Sequence, residues 1–391
     1  MDKKELLIDK SDWKPTRLGD LANEVSKRVD TPAQSEFDKF VGLKHFVSGD
    51  LKIKKWDSTE TLTSSTKAFE KGDILFARRN AYLRRASLVQ FAGVCSGDAF
   101  VLKENHDKIV SNFLAFVVNS NSLWDFANSN AAGTMSKRVK WRDLAEYEFL
   151  LPPKDQQAQL AELLWATDAV VEKTRKVKNI VHCVLHATFK ELCHLQMSKK
   201  YRIKDLLVGG PRNGFSPKRS SEIAAAKTVS IGAIKEGVFT PEGNIKYAKV
   251  DDDVLQKFDV RAGDVFIVRG NGNKNLCGRA GLSMRGYTNL FYPDLLIRLR
   301  FDLKQVLPDF VAFQWNSVKT HSDLMRRAKS TNGIWKINGD DIKLHKLEIP
   351  PISEQRKIMA EISKIDLLLQ CSKVAETNSK QLLISLINEV F

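Results

Sequence analysis

The chain repeats itself, and this repetition constrains its fold more than any other feature of its 391 residues. Residues 70–80 read Glu-Lys-Gly-Asp-Ile-Leu-Phe-Ala-Arg-Arg-Asn, and residues 261–271 read Arg-Ala-Gly-Asp-Val-Phe-Ile-Val-Arg-Gly-Asn. Near the end of each half, Leu-Pro-Pro-Lys-Asp-Gln-Gln at 151–157 matches Ile-Pro-Pro-Ile-Ser-Glu-Gln at 349–355. Similarity between the two halves at several matched places predicts two copies of one folding unit.

Each copy starts with strand-like segments and turns. The runs at 73–77 and 265–268 are rich in β-branched and aromatic residues and open on Gly-Asp, which predicts strands. Helical pieces are predicted at 112–119 and 307–318 in the same regions. Each globular region is therefore expected to be α+β.

After each Pro-Pro pair the hydrophobic period changes from two to about three and a half residues. Alternating steps of four and three residues run through 160–195 and again through 358–390, which is the heptad seam of a coiled coil. Lys178 and Glu376 lie near the middle of the two seams, and we expect them to meet.

The Pro-Pro motif itself predicts a helix start. Two prolines favour extended backbone, and Asp155 or Ser353 then stands where a helix N-cap is expected, with Glu354 favourable in the first turn. A helix of about 40 residues spans roughly 60 Å and needs a partner along its length. The simplest arrangement pairs the two helices antiparallel within one chain, as a spacer between the globular regions. The alternative is that each helix packs only on its own region or on another subunit.

The composition points to a polyanionic partner. The formal net charge is +15, and clustered Lys and Arg gain free energy by releasing counterions from phosphates. The five cysteines are scattered, with no CxxC pair and no zinc-type spacing, and we expect buried, reduced thiols. The first ten residues are charged where a signal peptide is apolar, and no run approaches a membrane span, so we expect a cytoplasmic protein without membrane contact.

Two such regions, each followed by Pro-Pro and a long heptad helix, closely resemble the specificity subunits of type I restriction-modification systems. The resemblance covers essentially the whole chain, and 151–157 and 349–358 carry its sharpest motifs. The first motif departs from the family pattern, with Gln156-Gln157 in place of Glu-Gln.

The resemblance implies an α+β protein with two globular target-recognition domains in tandem, separated by two helices that form an antiparallel intramolecular coiled coil with pseudo-twofold symmetry. The expected domains are target-recognition domain 1 at 1–152, helix 1 at 153–198, target-recognition domain 2 at 199–350 and helix 2 at 351–391. Each recognition domain would read one half of a bipartite double-stranded DNA target. The helices would set the gap.

The resemblance also implies partners and a division of labour. Two methyltransferase subunits would dock on the helices, and restriction and translocase subunits would join them. This chain would bind no cofactor, and S-adenosylmethionine, ATP and Mg²⁺ would belong to those partners.

The candidate DNA contacts are basic, amide and aromatic residues near the Gly-Asp strands, because Arg pairs with guanine and Asn with adenine in the major groove. In the first half they are Arg78, Arg79, Asn80, Tyr82, Arg84, Arg85, Lys137, Arg138 and Lys140. In the second half they are Arg269, Asn271, Asn273, Lys274, Asn275, Arg279, Asn332, Trp335 and Lys336.

Other functions lack their motifs. The segment 270–275 has neither GxxxxGK(S/T) nor GxGxxG, and the Pro-Pro pairs follow Leu151 and Ile349 instead of the Asn or Asp of adenine methyltransferases. His182 and His186 are one helical turn apart, which predicts a structural role unless further metal ligands are near. We therefore expect no catalytic residue and no metal site. A two-headed coiled-coil scaffold or an RNA-binding protein remains the alternative.

Overall fold

The computed structural model describes residues 8–195, 198–217 and 226–391. The chain divides into two compact units, unit 1 made of residues 1–178 and 371–391, and unit 2 made of residues 179–370. The domain boundaries expected from the sequence stay predictions, and residues 1–7, 196–197 and 218–225 of those domains lie outside the described residues.

Unit 1 is built from short strands and short helices before its first long helix. Its strands are β1 Lys14–Arg17, β2 Ala22–Val25, β3 Arg28–Val29, β4 Lys39–Val41, β5 Asp57–Ser58, β6 Thr66–Phe69, β7 Ile74–Ala77, β8 Ala86–Leu88, β9 Gly93–Cys95, β10 Ala99–Glu104 and β11 Glu148–Leu151. Its helices are α1 Leu18–Leu21, α2 Leu114–Val117, α3 Asn121–Ser129, α4 Trp141–Leu144 and the start of α5 Lys154–Leu195. The strands form sheets in the orders β2-β10-β7-β8, β3-β6-β9-β4-β5 and β1-β11.

Unit 2 has the same kind of arrangement. Its strands are β12 Lys199–Arg202, β13 Arg212–Asn213, β14 Ala226–Val229, β15 Ile234–Lys235, β16 Val238–Phe239, β17 Ile245–Ala248, β18 Asp259–Val260, β19 Val265–Val268, β20 Gly270–Asn271, β21 Ala280–Leu282, β22 Tyr287–Phe291, β23 Leu296–Leu299, β24 Lys329–Thr331, β25 Ile334–Lys336 and β26 Lys346–Ile349. Its helices are α6 Asp252–Lys257, α7 Pro308–Trp315, α8 Val318–Met325, α9 Gly339–Lys343 and the start of α10 Ile352–Val390. The sheet orders are β13-β23-β19-β21-β16-β15, β17-β14-β22-β18, β20-β25-β24 and β12-β26.

The Gly-Asp strands β7 and β19 are the buried centre of their units. Every residue of both strands is buried, because alternate side chains enter two different hydrophobic clusters. Each strand follows a turn whose glycine has a positive φ, +97° at Gly72 and +83° at Gly263, a conformation that costs glycine least. The aspartate next to it accepts a hydrogen bond from the backbone three residues back, at 2.7 Å for Asp73 and 2.8 Å for Asp264. The sequence repeat is therefore a repeat of one turn and strand.

The two long helices pair antiparallel within the chain. In unit 1, Thr174 Oγ1 lies 3.1 Å from Ser379 Oγ and Lys178 Nζ lies 2.7 Å from Glu376 Oε2, so the partner positions run backwards along α10. In unit 2, parts of both helices share one hydrophobic cluster. The predicted fold class, α+β with two domains in tandem and an intramolecular antiparallel helix pair, is confirmed, and so is the contact of Lys178 with Glu376.

Two local predictions are wrong. The helices begin at Lys154 and Ile352, so Asp155 and Ser353 lie inside the first turn instead of at the N-cap. The capping positions are occupied by Pro153 and Pro351, whose carbonyl oxygens accept the first helical hydrogen bonds. Buried thiols are found at Cys95, Cys193 and Cys277, but Cys183 and Cys371 are exposed on the long helices. All five are free thiols, as expected. Heptad spacing did not show that these two cysteines lie outside the seam.

The glutamine of the Pro-Pro motif has a tertiary role. Gln157 Oε1 accepts a hydrogen bond from Val110 N at 2.9 Å, and its Nε2 donates to Pro152 O at 2.9 Å. Gln355 repeats this with Leu307 N at 2.8 Å and Pro350 O at 2.8 Å. Both side chains are buried. The motif thus ties the start of each long helix to the segment that leads into α2 or α7.

Replacement of either glutamine by alanine is expected to lower the free energy of unfolding by about 1–3 kcal/mol, because Val110 N or Leu307 N loses its acceptor in a partly buried place. Urea unfolding followed by circular dichroism measures the loss. Gln159→Ala, at an exposed glutamine of the same helix turn, serves as the control. Equal stability of Gln157→Ala and the wild-type chain would contradict this role.

Candidate nucleic-acid interface

In unit 1 the loop after β7 has a strained backbone. Asn80 and Arg84 have positive φ values of 55° and 50° and flank a single 3₁₀ turn, Ala81–Leu83. Such values are uncommon for residues other than glycine and persist where the surrounding structure enforces them. The turn leaves the Tyr82 side chain 65% exposed.

The second basic segment of unit 1 joins this loop, although more than fifty residues separate them in sequence. Asn80 N donates to Lys137 O at 2.8 Å, Val139 N donates to Arg78 O at 3.0 Å, and Arg79 pairs with Arg138 in an isolated antiparallel bridge. Lys137 and Lys140 are exposed beside this junction. The two predicted clusters are therefore one surface, called here the unit 1 basic face: 78–85 and 137–140.

An aspartate lies between the two arginines of this face. Asp98 Oδ1 accepts from Arg138 Nε at 2.8 Å, and its Oδ2 is 3.5 Å from Arg79 Nη1. Arg79 Nη2 also donates to Ser136 Oγ at 3.0 Å. The hydrogen bond from Arg138 lowers the pKa of Asp98 by more than partial burial raises it, and the same bond raises the pKa of Arg138. Asp98 and Arg138 therefore stay charged at neutral pH.

Three other arginines of the face serve the fold. Arg85 donates to Leu43 O at 3.2 Å and to Arg79 O at 3.1 Å, and burial lowers its pKa. Arg84 binds Asn121 and Asp125 of α3. The Arg78 guanidinium carbon lies 5.3 Å from the centre of the Phe100 ring. Of these three, Arg85 is the least available to a ligand.

Unit 2 brings its two segments together by the same backbone contacts. Strand β20 pairs with β25, so that Gly270 lies opposite Lys336 and Asn271 lies opposite Trp335. Lys274 Nζ sits 4.5 Å from the centre of the Trp335 ring, a cation–π distance. The unit 2 basic face is therefore 269–279 and 332–336.

The asparagines of this face shape its loop. Asn271 Oδ1 accepts from Asn273 N at 2.8 Å, and Asn273 Oδ1 accepts from Asn275 N at 2.9 Å, which are successive Asx turns. Asn332 has φ +49° and precedes Gly333 with φ +74° between β24 and β25, the conformation of a type I′ hairpin turn. The turn conformation thus explains an asparagine at 332, whereas the Asn275 side chain is exposed and has no such conformational role.

The unit 2 arginines are partly committed to the fold as well. Arg279 donates to Asn275 O at 2.9 Å and to Asn316 O at 2.8 Å, and burial lowers its pKa. Arg269 Nη1 donates to Asp294 O at 3.4 Å. The exposed side chains of Lys274 and Lys336 are the freer cations of this face.

Sequence reasoning missed Asp98. Its signal was a further Gly-Asp pair, Ser96-Gly97-Asp98, directly before β10. The contact with Arg79 and Arg138 depends on sheet pairing, because β10 lies next to β7.

The described residues contain neither a clustered set of metal ligands nor a membrane-spanning helix. No group of three or more His, Cys, Asp or Glu side chains there is arranged to hold a metal ion. No helix in those ranges combines the length and the apolar character needed to cross a membrane.

Sequence comparisons give the same family at two levels. Residues 10–181 match the model of the type I restriction modification DNA specificity domain. The specificity subunit of the type I restriction enzyme EcoKI from Escherichia coli (strain K12) is 25% identical over 289 residues, which are 69% of this chain and 62% of that protein. The match thus spans somewhat less than two thirds of the length of this relative.

Solved structures resemble the whole chain. The S subunit of a type I restriction-modification system from M. genitalium has a TM-score of 0.53 at 13% identity, covering 100% of this chain and 98% of its own. A chain from a structure of type I R-M system assembly has a TM-score of 0.53 at 19% identity, with 97% of both chains covered. At these identities the likeness is one of fold. The domain match at 10–181, the relative from Escherichia coli and the shared fold together show that this chain is similar to type I restriction-modification specificity subunits.

Proposed function

We propose that this chain is the DNA-reading subunit of a type I restriction-modification complex, and that each unit reads one half of a bipartite duplex target. One observation carries the proposal: both units join the same two basic segments through equivalent backbone hydrogen bonds. In unit 1 Val139 N donates to Arg78 O, and in unit 2 Ile337 N donates to Arg269 O at 2.9 Å. Two readers built alike suit two half-sites on one duplex.

The chemistry of the faces supports double-stranded DNA as the ligand. Exposed lysines suit phosphates, and arginine and asparagine side chains suit base edges in the major groove. The net charge of +15 adds a favourable counterion-release contribution. The full list of candidate contacts stays a prediction, with Arg85, Arg279 and Asn332 the weakest members because the fold uses them.

The remaining parts of the proposal concern the complex. The paired helices would set the gap between the half-sites and dock two methyltransferase subunits, with restriction and translocase subunits joining them. Catalysis, S-adenosylmethionine, ATP and Mg²⁺ would belong to those subunits, and this chain would address the complex to its site in the cytoplasm.

Methylation sequencing tests the whole proposal. DNA from cells that express this chain with its methyltransferase should carry modified sites that form a two-part motif with a constant gap. Modified sites without a constant gap would overturn it. A gel-shift series with duplex, single-stranded DNA and RNA competitors tests the ligand class, and preference for RNA would favour the RNA-binding alternative.

The double variant Lys137→Ala/Lys140→Ala is expected to bind duplex DNA more weakly and less salt-dependently. If both lysines contact phosphates, the slope of log affinity against log salt should become less negative by about 2. Titrations at three salt concentrations measure the slope. Lys103→Ala/Lys108→Ala, two exposed lysines of unit 1 outside the basic face, is the charge-matched control. An unchanged slope in the first variant would remove these lysines from the contact surface.

A further inference from the structure

The two basic faces differ at the three positions that hold the Arg79–Asp98–Arg138 cluster. Arg78 N donates to Asp98 O at 3.0 Å, and the equivalent bond in unit 2 runs from Arg269 N to Leu295 O at 2.8 Å. Leu295 therefore stands where unit 1 has Asp98. The repeat alignment and the strand pairing put Gly270 and Lys336 in the places of the two arginines.

In unit 1, hydrogen bonds from Arg138 to Asp98 occupy one edge of the Arg138 guanidinium group. Asp98 engages Arg138 side-on, with Nε at 2.8 Å from Oδ1 and Nη2 at 3.4 Å from Oδ2. This leaves both Nη1 protons and one Nη2 proton unused by the carboxylate. Those protons form the edge that binds guanine O6 and N7 in a bidentate contact. Both arginine side chains remain 40% exposed, while Asp98 is 22% exposed.

We propose that Asp98 is a positioning residue that orients Arg138 and Arg79 to read guanine, so that the half-site bound by unit 1 contains a G·C base pair. The inference rests on the proposed function. A carboxylate at a DNA-binding surface opposes phosphate binding, because like charges repel. Asp98 therefore costs some affinity for DNA, but it holds the two arginine guanidinium groups in a fixed orientation. Unit 2, with Gly270, Leu295 and Lys336 at these places, does not read guanine by this cluster.

The test uses the full chain and a pool of duplexes with randomised positions, with the bound fraction sequenced at fixed salt. The wild-type chain should enrich a two-part motif. Asp98→Asn and Arg138→Lys should each lower the preference for guanine at one or more positions of one part by about tenfold or more, and leave the other part unchanged. Asp98→Glu should restore part of the preference. Total binding by Asp98→Asn should not fall, since a negative charge has been removed.

Two controls separate positioning from charge and from folding. Asp20→Asn removes another paired, half-exposed carboxylate of unit 1 and should leave the motif unchanged. Arg138→Lys keeps the charge, so it carries the test if Asp98→Asn is poorly folded by its melting temperature. A wild-type motif that Asp98→Asn and Arg138→Lys leave intact, or that they alter equally in both parts, overturns this inference alone. Failure of the wild-type chain to enrich any two-part motif overturns the proposed function and this inference with it.

Discussion

Arg175→Met is expected to lower the free energy of unfolding by about 3–5 kcal/mol, because it removes one partner of a largely buried ion-pair cluster. The Arg175 guanidinium lies 2.8 Å from Asp50, 3.1 Å from Glu172 and 2.9 Å from Glu376. Asp50 is only 7% exposed. Burial alone would raise the pKa of Asp50, but hydrogen bonds from Arg175 and the charge of Lys54 lower it overall.

The neighbouring Lys176 offers a matched control. It is exposed on the same helix, so Lys176→Met makes the same change of charge with little expected effect on stability. Urea unfolding followed by circular dichroism measures both variants. The double variant Arg175→Met/Asp50→Asn should be more stable than the sum of the single losses implies, since it leaves fewer unpaired charges. If Arg175→Met is no less stable than Lys176→Met, the cluster does not stabilise unit 1.

Acidification from pH 7.5 to pH 5 is expected to destabilise unit 2 by about 2 kcal/mol through His345 alone. Burial lowers the pKa of this imidazole from 6.5 to about 4. Its Nε2 is buried without a hydrogen-bond partner among the described residues, and its ring packs 5.2 Å from the Trp315 ring. The unfolded chain therefore takes up the proton first. The stabilising contribution is complete above pH 6.5 and decreases as the pH falls towards 4.

His345→Phe tests this directly, because a phenyl ring keeps the aromatic contact and cannot be protonated. Leu18 N donates to Tyr147 O in unit 1, and Ile203 N donates to His345 O in unit 2. Tyr147 therefore occupies the place equivalent to His345, and the fold accepts a six-membered ring there. The urea midpoints of the variant should differ less between pH 7.5 and pH 5 than those of the wild-type chain. His194→Gln, at an exposed histidine of α5, is the control. An unchanged pH dependence in His345→Phe would rule out this histidine as a source of acid sensitivity.

Burial also lowers the pKa of His186 and His321 in unit 2, and both shifts act in the same direction as that of His345. His321 Nε2 lies 2.7 Å from Cys277 O, and the His186 ring lies 5.4 Å from the Phe313 ring. The structural role predicted for His186 from the sequence agrees with this packing.

Local patterns alone determined the repeat, the strands after Gly-Asp, the two long helices and the meeting of Lys178 with Glu376. These features could be read in advance because period, turn residues and heptad spacing are properties of neighbouring positions. The same reasoning failed for the helix caps and for Cys183 and Cys371. Heptad spacing likewise did not predict that the fold places Arg175 among three carboxylates.

Only the tertiary structure decided which segments lie together on each basic face. The sequence named most of their residues, but β-sheet pairing between distant segments brought 78–85 next to 137–140 and 269–279 next to 332–336. Sheet pairing likewise brought Asp98 to Arg138, and burial assigned Arg85 and Arg279 to the fold. Such contacts depend on which strands become neighbours and on how much water each side chain loses, and neither property is encoded in the spacing of residues along the chain.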